Sequence, residues 1–390
     1  MLRFLRTLSL FLLPLVLLFA PSLILFLAAG EAYSIESVEQ QAESSTTVLF
    51  GPAYSDYWAL FQLKTVQHRA PEVLALGSSR VGQFRGNFFK DPQTFYTASA
   101  AAFDIPNLTN FVRALGTSTP RVIIVSMDQH LFDPRLTQDY ITARPNVFAS
   151  HDPAVGDYLD VFLEGYFRDG GWWKISIDLL KNRISIGDVF RHESGFIAIG
   201  LRAKVEHNGN INDGSHYYAG VLESQEQRQT VRADIHAEAL SVTDTHGYEY
   251  ADGISERPLN ELREFLALCQ ARGIQVVGFI PPVPHEVYAA IQAHPNATYQ
   301  KTFKELPIVL GALYKAYGFE LYDFTDITTF GGSDAEMVDI NHGSEKMYAR
   351  MTVAMGGKGS ALSTYIDTAT LQKKIAGSDN PFVLFRPAGL

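Results

Sequence analysis

Two stretches of this chain carry side chains whose types and order could do covalent chemistry. The first is VLALGSSRVGQF, residues 73–84, in which four apolar residues run straight into Gly77, Ser78, Ser79 and Arg80. A serine at a strand-to-helix turn has its hydroxyl near unpaired backbone N–H groups and the positive end of the helix. That setting favours an alkoxide-like nucleophile and offers donors to a developing oxyanion. It equally suits a serine that merely caps the helix, and Gly-Ser-Ser taken alone favours the cap. The second stretch is MVDINHGSEKMYARM, residues 337–351, with Asp339 and His342 three positions apart just before a helix. Across one turn the carboxylate can reach imidazole Nδ1 and fix the tautomer, which leaves Nε2 to take a proton from a serine. An isolated Asp-x-x-His is common, but here it follows a strand-ending Gly-Ser-Ser in the order this chemistry needs.

The elements that would position these residues alternate. Glu72 to Leu76 and Val122 to Val125 are short apolar runs that predict buried strands. Leu108, Phe111, Val112 and Leu115 have helical spacing, as do Leu259, Leu262, Phe265, Leu266 and Cys269 ahead of the stop signal Gly273. GIQVVGFIPP predicts a strand closed by prolines; a helix over 302–316, the strand FELYDF and a closing helix over 344–354 follow. Strands alternating with helices predict the α/β class with a central parallel sheet, whose sites gather at the carboxyl ends of strands. Gly77–Arg80, Met127-Asp128-Gln129 and Ile280-Pro281-Pro282 all fall at such ends. The rhythm breaks between 131 and 255, which predicts an insertion between two halves of the core. The domain plan is therefore an anchor over 1–30, a stalk and lead-in over 31–70, core over 71–130, insertion over 131–255, core over 256–356 and a tail over 357–390.

Bulk properties narrow the function. The net charge of −10 argues against nucleic acid as a partner, because phosphate binding needs clustered Lys and Arg. The single cysteine, Cys269, rules out an internal disulfide and a Cys-based zinc site, and it falls on a helix's apolar face. No histidine has H-E-x-x-H or paired metal spacing, so neither a metal nor another cofactor is expected. Arg3 and Arg6 precede an apolar run from Leu8 to Ala29, close to the ~20 residues that span a bilayer, and Glu31, Glu36 and Glu39 follow it. This pattern predicts one transmembrane helix with the N-terminus cytoplasmic and the body periplasmic or extracellular. The run is longer than a cleaved signal's apolar stretch of about 7–15 residues, which favours an anchor, although AAGEA offers a cleavage site. Pro14 and Pro21 kink such a helix without preventing a span. Gly170-Gly171-Trp172-Trp173 reads as packing ahead of a sugar platform, and Asn107 and Asn296 fit glycosylation acceptors. Arg80 fits either a substrate anion or a salt bridge across the helix start.

LGSSR after a strand, YTASAAAFDIPN beyond it, a strand ending in MDQ, FIPP and a terminal Asp-x-x-His together resemble the SGNH/GDSL hydrolase superfamily. The resemblance is strongest to its membrane-anchored members, such as the D-alanyl-lipoteichoic acid transfer proteins and the exopolysaccharide O-acetyltransferases. It covers about residues 70–130 and 255–355 and implies the family's three-layer fold. It also implies Ser79 as nucleophile, His342 as general base and Asp339 as orienting acid, with Ser78 where the family often has Asp. The oxyanion donors it implies are backbone N–H groups of Ser79 and Ala102. Asp128 stands where the family usually has Asn, and an ionised carboxylate cannot donate, so either Gln129 substitutes or the hole relies on the backbone N–H groups of Ser79 and Ala102.

The expectation is a membrane-anchored serine acyltransferase or esterase that forms an acyl-serine, an O-acetyltransferase or O-acyl esterase of an extracytoplasmic polysaccharide. A membrane-bound O-acyltransferase is the expected partner and acyl donor. The alternative is a non-catalytic SGNH-like protein that binds glycan or scaffolds a membrane acylation complex.

Overall fold

Val73–Leu76 and Val122–Val125 contain only apolar residues, and both strands, the second extended to Ser126, are buried along their whole length. Such continuous apolar strands belong inside a parallel sheet covered on both sides. The computed structural model describes residues 2–43, 46–53, 57–133, 148, 162–163, 185–191, 193, 195–242, 253–294 and 297–390. Its strands are β1 (Thr47–Phe50), β2 (Val73–Leu76), β3 (Phe95–Ala98), β4 (Val122–Ser126) and β5 (Phe196–Ile199). They continue with β6 (Asn208–Asn210), β7 (His216–Tyr218), β8 (Gln275–Ile280) and β9 (Glu320–Asp323).

The chain forms two compact units. The larger one, Trp58–Ser150 with Asp213–Arg386, is built on a five-stranded sheet in the order β3-β2-β4-β8-β9. Every pairing in it is parallel, with Val73 opposite both Phe95 and Val122, and Val277 opposite Glu320. After β2 the chain adds β3 on one side and then β4 on the other. The carboxyl ends of β2 and β4 are therefore the point where strand order reverses, the crevice in which open α/β sheets bind ligands.

Alternation along the strands sends Val73, Ala75, Ile124, Val277 and Phe279 to one face, where they pack with Tyr348, Met351 and Met355 of helix Glu345–Met355 and with Leu371 and Ile375 of helix Thr368–Ala376. Leu74, Leu76, Ile123 and Val125 point the other way and are fully buried. Helices Ile105–Ala114 and Glu256–Ala271 bury the stripes that the sequence predicts, Cys269 included. The residues after 356 are thus no loose tail, because burying Ile366, Leu371 and Ile375 keeps them on the core.

The smaller unit comprises Met1–Tyr57, His151–Asn212 and Pro387–Leu390. Here β1 pairs parallel with β5 and antiparallel with β6. The expected stalk is corrected: Tyr33, Ile35, Val38, Val48 and Leu49 are buried in this unit, whereas helix Trp58–Arg69 belongs to the larger one. The expected insertion likewise divides: only His151–Asn212 belongs to the smaller unit, and the stretches on either side, up to Ser150 and from Asp213, belong to the larger one.

The N-terminal apolar run forms helix Leu2–Ala29, 28 residues long, some of whose side chains lie outside the described set. Among the described residues, no helix is long and apolar enough to cross a membrane. The helix end is firmly seated. Leu25, Phe26 and Ala29 pack with Val189 and Leu201, and Lys204 Nζ donates to the carbonyls of Ala28 (2.8 Å) and Val189 (2.9 Å). Buried Glu31 accepts from the N–H groups of Ala53 and Leu201, at 3.0 and 2.7 Å.

Candidate active site

Ser79 opens a single 3₁₀ turn, Ser79–Val81, directly after β2. The helix of the expected strand-to-helix turn is thus only this short 3₁₀ turn. Three residues sum too few peptide dipoles to act as a helix terminus, so the setting of Ser79 depends on its neighbours. Ser79 Oγ lies 2.8 Å from His342 Nε2, and His342 Nδ1 lies 2.8 and 2.9 Å from the two carboxylate oxygens of Asp339. Asp339 thus accepts the Nδ1–H hydrogen bond, which fixes the tautomer and presents Nε2 to the serine as an acceptor.

Local backbone bonding arranges the Asp339–His342 pair. Met337 and Gly343 form an antiparallel bridge, Val338 N–H donates to His342 O at 2.8 Å, and Ser344 N–H donates to Glu336 O at 2.7 Å. Inside this tight loop Asp339 Oδ1 also accepts the N–H groups of Asn341 and His342, both at 2.7 Å. Burial pushes the Asp339 carboxyl up, but the hydrogen bond and charge of His342 together with these N–H groups outweigh it, and the net shift is downward. Asp339 is therefore held ionised.

The two adjacent serines have different partners. Ser78 Oγ donates to Asp128 Oδ2 at 2.6 Å and accepts from Arg80 N–H at 3.2 Å. It fastens the loop, while only Ser79 faces the imidazole. Asp128 is 3 % exposed, and its Oδ1 has no hydrogen-bond partner among the described residues. It accepts from Ser78 and supplies no donor.

The other expected oxyanion donors are also engaged. Gln129 Nε2 donates to Pro281 O at 3.0 Å, which ties the ends of β4 and β8 together. Ala102 N–H donates to Gly77 O at 3.2 Å. The expected Ala102 donor is therefore occupied, whereas among the described residues the N–H groups of Ser79 and Ala101 donate to nothing. Ala100, at φ +57°, turns the chain just before Ala101, and its own N–H donates to Ser78 O at 3.2 Å. A left-handed alanine stores strain of about 1–2 kcal/mol, a cost that this rim sustains beside the nucleophile.

Arg80 meets neither expectation. Its Nη1 donates to the carbonyls of Pro282 (3.1 Å) and Asn341, and its Nη2 donates to Asn341 Oδ1 at 3.0 Å. Tyr348 Oη donates to its carbonyl. Arg80 thus joins the serine turn to the Asp339–His342 loop. Asn107 is buried inside its helix with its amide on Asp104 at 3.0 Å, so it is no glycan acceptor. Trp172, Trp173 and Asn296 lie outside the described residues.

Sequence reasoning missed a second set of residues. Asp213 to Tyr218 returns to the catalytic rim, where the Tyr218 ring lies 5.9 Å from the His342 ring and 4.5 Å from the His216 ring. This segment is fastened by Arg85, 5 % exposed, which ion-pairs with Glu345 at 3.4 Å and donates to Ser215 Oγ (2.5 Å), Gln83 Oε1 (3.2 Å) and His216 O (2.9 Å). Burial raises the Glu345 carboxyl, against the pull of Arg85 and the N–H groups of Phe385 and Leu384. Asp213 Oδ2 accepts Gly86 N–H at 2.7 Å, and His216 N–H donates to Gly82 O at 2.7 Å. The one signal in sequence is Gly214, at φ +80°, where a Cβ would meet Thr97 O at 2.0 Å.

No protein-family model matches this chain, and none of the curated proteins matches it in sequence.

Proposed function

We propose that this protein is a membrane-anchored serine acyltransferase or esterase of the SGNH type, acting on O-acyl groups of an extracytoplasmic polysaccharide. The observation that carries the reading is the continuous relay from Ser79 Oγ through His342 to Asp339. In the first half-reaction Ser79 Oγ attacks an ester carbonyl while its proton passes to His342 Nε2. The tetrahedral oxyanion has the N–H groups of Ser79 and Ala101 as its donors. Collapse expels the alcohol, which takes the proton from His342, and leaves acyl-Ser79. Water or a glycan hydroxyl then repeats the sequence in reverse. Transfer and hydrolysis share the whole first half and differ only in which hydroxyl attacks acyl-Ser79.

The anchor belongs to the same proposal. At 1.5 Å per residue a 28-residue helix extends roughly 42 Å, more than the ~30 Å hydrocarbon core. Its described side chains Phe11, Leu13, Val16 and Leu27 are exposed, as lipid-facing groups would be. A polytopic membrane O-acyltransferase is the matching acyl donor.

One observation favours the rival, a non-catalytic glycan-binding or scaffold protein: both side chains expected at the oxyanion, Asp128 and Gln129, bond elsewhere. Mass spectrometry after exposure to an activated acetyl ester separates the two readings. An acetyl group on the peptide containing Ser79, absent from Ser79→Ala, supports the enzyme. An unmodified peptide supports the scaffold.

A further inference from the structure

We infer that Tyr218 and His216 form the glycan-binding wall of this site, a platform that stacks a neutral sugar ring beside His342 and hydrogen-bonds one of its hydroxyls. This rests on the acyl-transfer reading of Ser79 and goes beyond it by assigning residues to the sugar.

The geometry argues for a surface built to receive something. The two rings meet edge to face at 67°, and Tyr218 lies tilted by 38° over the catalytic imidazole. Both side chains are partly exposed. An aromatic face presents a flat, weakly negative surface to the C–H bonds of a pyranose, and its polar edge stays available for hydroxyls. Among the described residues the Tyr218 phenol has no hydrogen-bond partner. Burial first, and the Asp339 charge next, raise its pKa well above the ordinary value, so it remains a donor at any physiological pH. A half-buried donor without a protein partner, next to the base that must deprotonate an acceptor alcohol, is placed to hold that alcohol's sugar.

The supporting shell makes the same point. Buried ion pairs contribute little net stability, since desolvation offsets their attraction. Yet Arg85, Glu345 and Asp213 are gathered to fasten the six residues from Asp213 to Tyr218. Gly82, three residues past the nucleophile, leaves room for this approach: a Cβ there would meet Ser99 Oγ at 2.8 Å and stand 3.5 Å from His216 Cβ. The network makes sense as a mount for two aromatic rings.

The test uses the full chain in membranes, with p-nitrophenyl acetate as acetyl donor and the host's own extracellular polysaccharide, de-acylated by mild base, as acceptor. Fluorophosphonate labelling of Ser79 is measured in parallel. Tyr218→Ala and His216→Ala should lower transfer to the polysaccharide at least tenfold more than they slow labelling, chiefly through KM. Tyr218→Phe should recover most of the stacking and fall between. Equal losses of labelling and transfer would make the wall a structural support and overturn the inference, as would transfer unaffected in both alanine variants. A labelled wild type that transfers nothing to polysaccharide also overturns it. A wild type that is not labelled at all instead sinks the acyl-transfer reading beneath it.

Discussion

Replacing the two neighbouring serines one at a time should produce two different kinds of damage. Ser79→Ala removes the atom that His342 Nε2 contacts at 2.8 Å. Loss of a triad nucleophile costs about 10⁴- to 10⁶-fold in kcat, or about 5–8 kcal/mol of barrier. The fold should hardly change, because Ser79 Oγ bonds only within the site. Ser78→Ala removes the 2.6 Å donor to Asp128 Oδ2, and Asp128 Oδ1 already lacks a partner. A buried carboxylate left with no donor on either side-chain oxygen costs about 1–3 kcal/mol or somewhat more, a drop in melting temperature of roughly 2–10 °C. Asp128→Asn added to Ser78→Ala should return part of that loss, because a neutral amide is cheaper to bury unpaired. The assay is fluorophosphonate labelling beside thermal unfolding for the wild type, both single variants and the double variant. Labelling should vanish in Ser79→Ala at unchanged melting temperature and persist in Ser78→Ala at a lowered one. If Ser78→Ala loses labelling while keeping its melting temperature, the assignment of the nucleophile is wrong.

Asp339 and His342 should act as one unit: Asp339→Ala combined with His342→Ala should slow acyl-serine formation little more than His342→Ala does, and losses that multiply would separate the two residues. Because the folded-state pKa of Asp339 is lowered, its stabilising contribution is present above the unfolded value of about 3.9 and is lost as pH falls through the folded one. Denaturant titrations of wild type and Asp339→Asn should therefore differ near neutrality and converge in acid; a gap that stays constant down to pH 2.5 would refute the ionised assignment. Replacing residues 1–30 with a cleavable secretion signal should reduce glycan acylation in the native host, whereas equal acylation by the freely secreted protein would end the membrane-relay idea.

How much of this was legible depended on whether the determinant was local. The runs at 73–76, 122–125 and 276–280 read as strands because none carries a polar side chain on either face. The stripes at 108–112 and 259–269 read as helices because only a period of 3.6 gathers those residues. Ser79, Asp339 and His342 were legible because their types and order are uncommon together. The failures came from long-range pairing. Nothing near Asp128 signals that it will accept from a serine fifty positions earlier. That Ala102 N–H is spent on Gly77 O, beside a left-handed Ala100, is likewise unreadable, because alanine does not advertise that conformation. β1 looked like part of a stalk because its partner, β5, lies far along the chain, and an extended segment of four residues has no signature of its own. NINDGSHYY has no periodicity, so the return of His216 and Tyr218 to the site was invisible.

The catalytic relay also depends on a joint that neither of its two loops could form alone. Ser79 and His342 are 263 positions apart, yet they must meet within hydrogen-bonding distance. Packing of the sheet fixes β2 and helix Glu345–Met355, but the reacting atoms sit on turns beyond those elements, where packing is loosest. Arg80 spans the gap by donating to Pro282 after β8 and to both oxygens of Asn341 inside the Asp339–His342 loop. A planar guanidinium can address several acceptors in fixed directions, which the single ammonium of a lysine cannot do. Tyr348 completes the joint from the opposite side, since its hydroxyl donates to the Arg80 carbonyl while its ring is buried among Phe84 and Phe279. The aromatic core thereby fixes Arg80, Arg80 fixes Asn341, and Asn341 lies in the same three-residue bend whose N–H groups hold Asp339. An arginine one residue after a nucleophile invites a reading as an anion-binding group. Here its donors are occupied by carbonyl and amide oxygens, and under the proposed reaction its part is to hold His342 Nε2 within 2.8 Å of Ser79 Oγ.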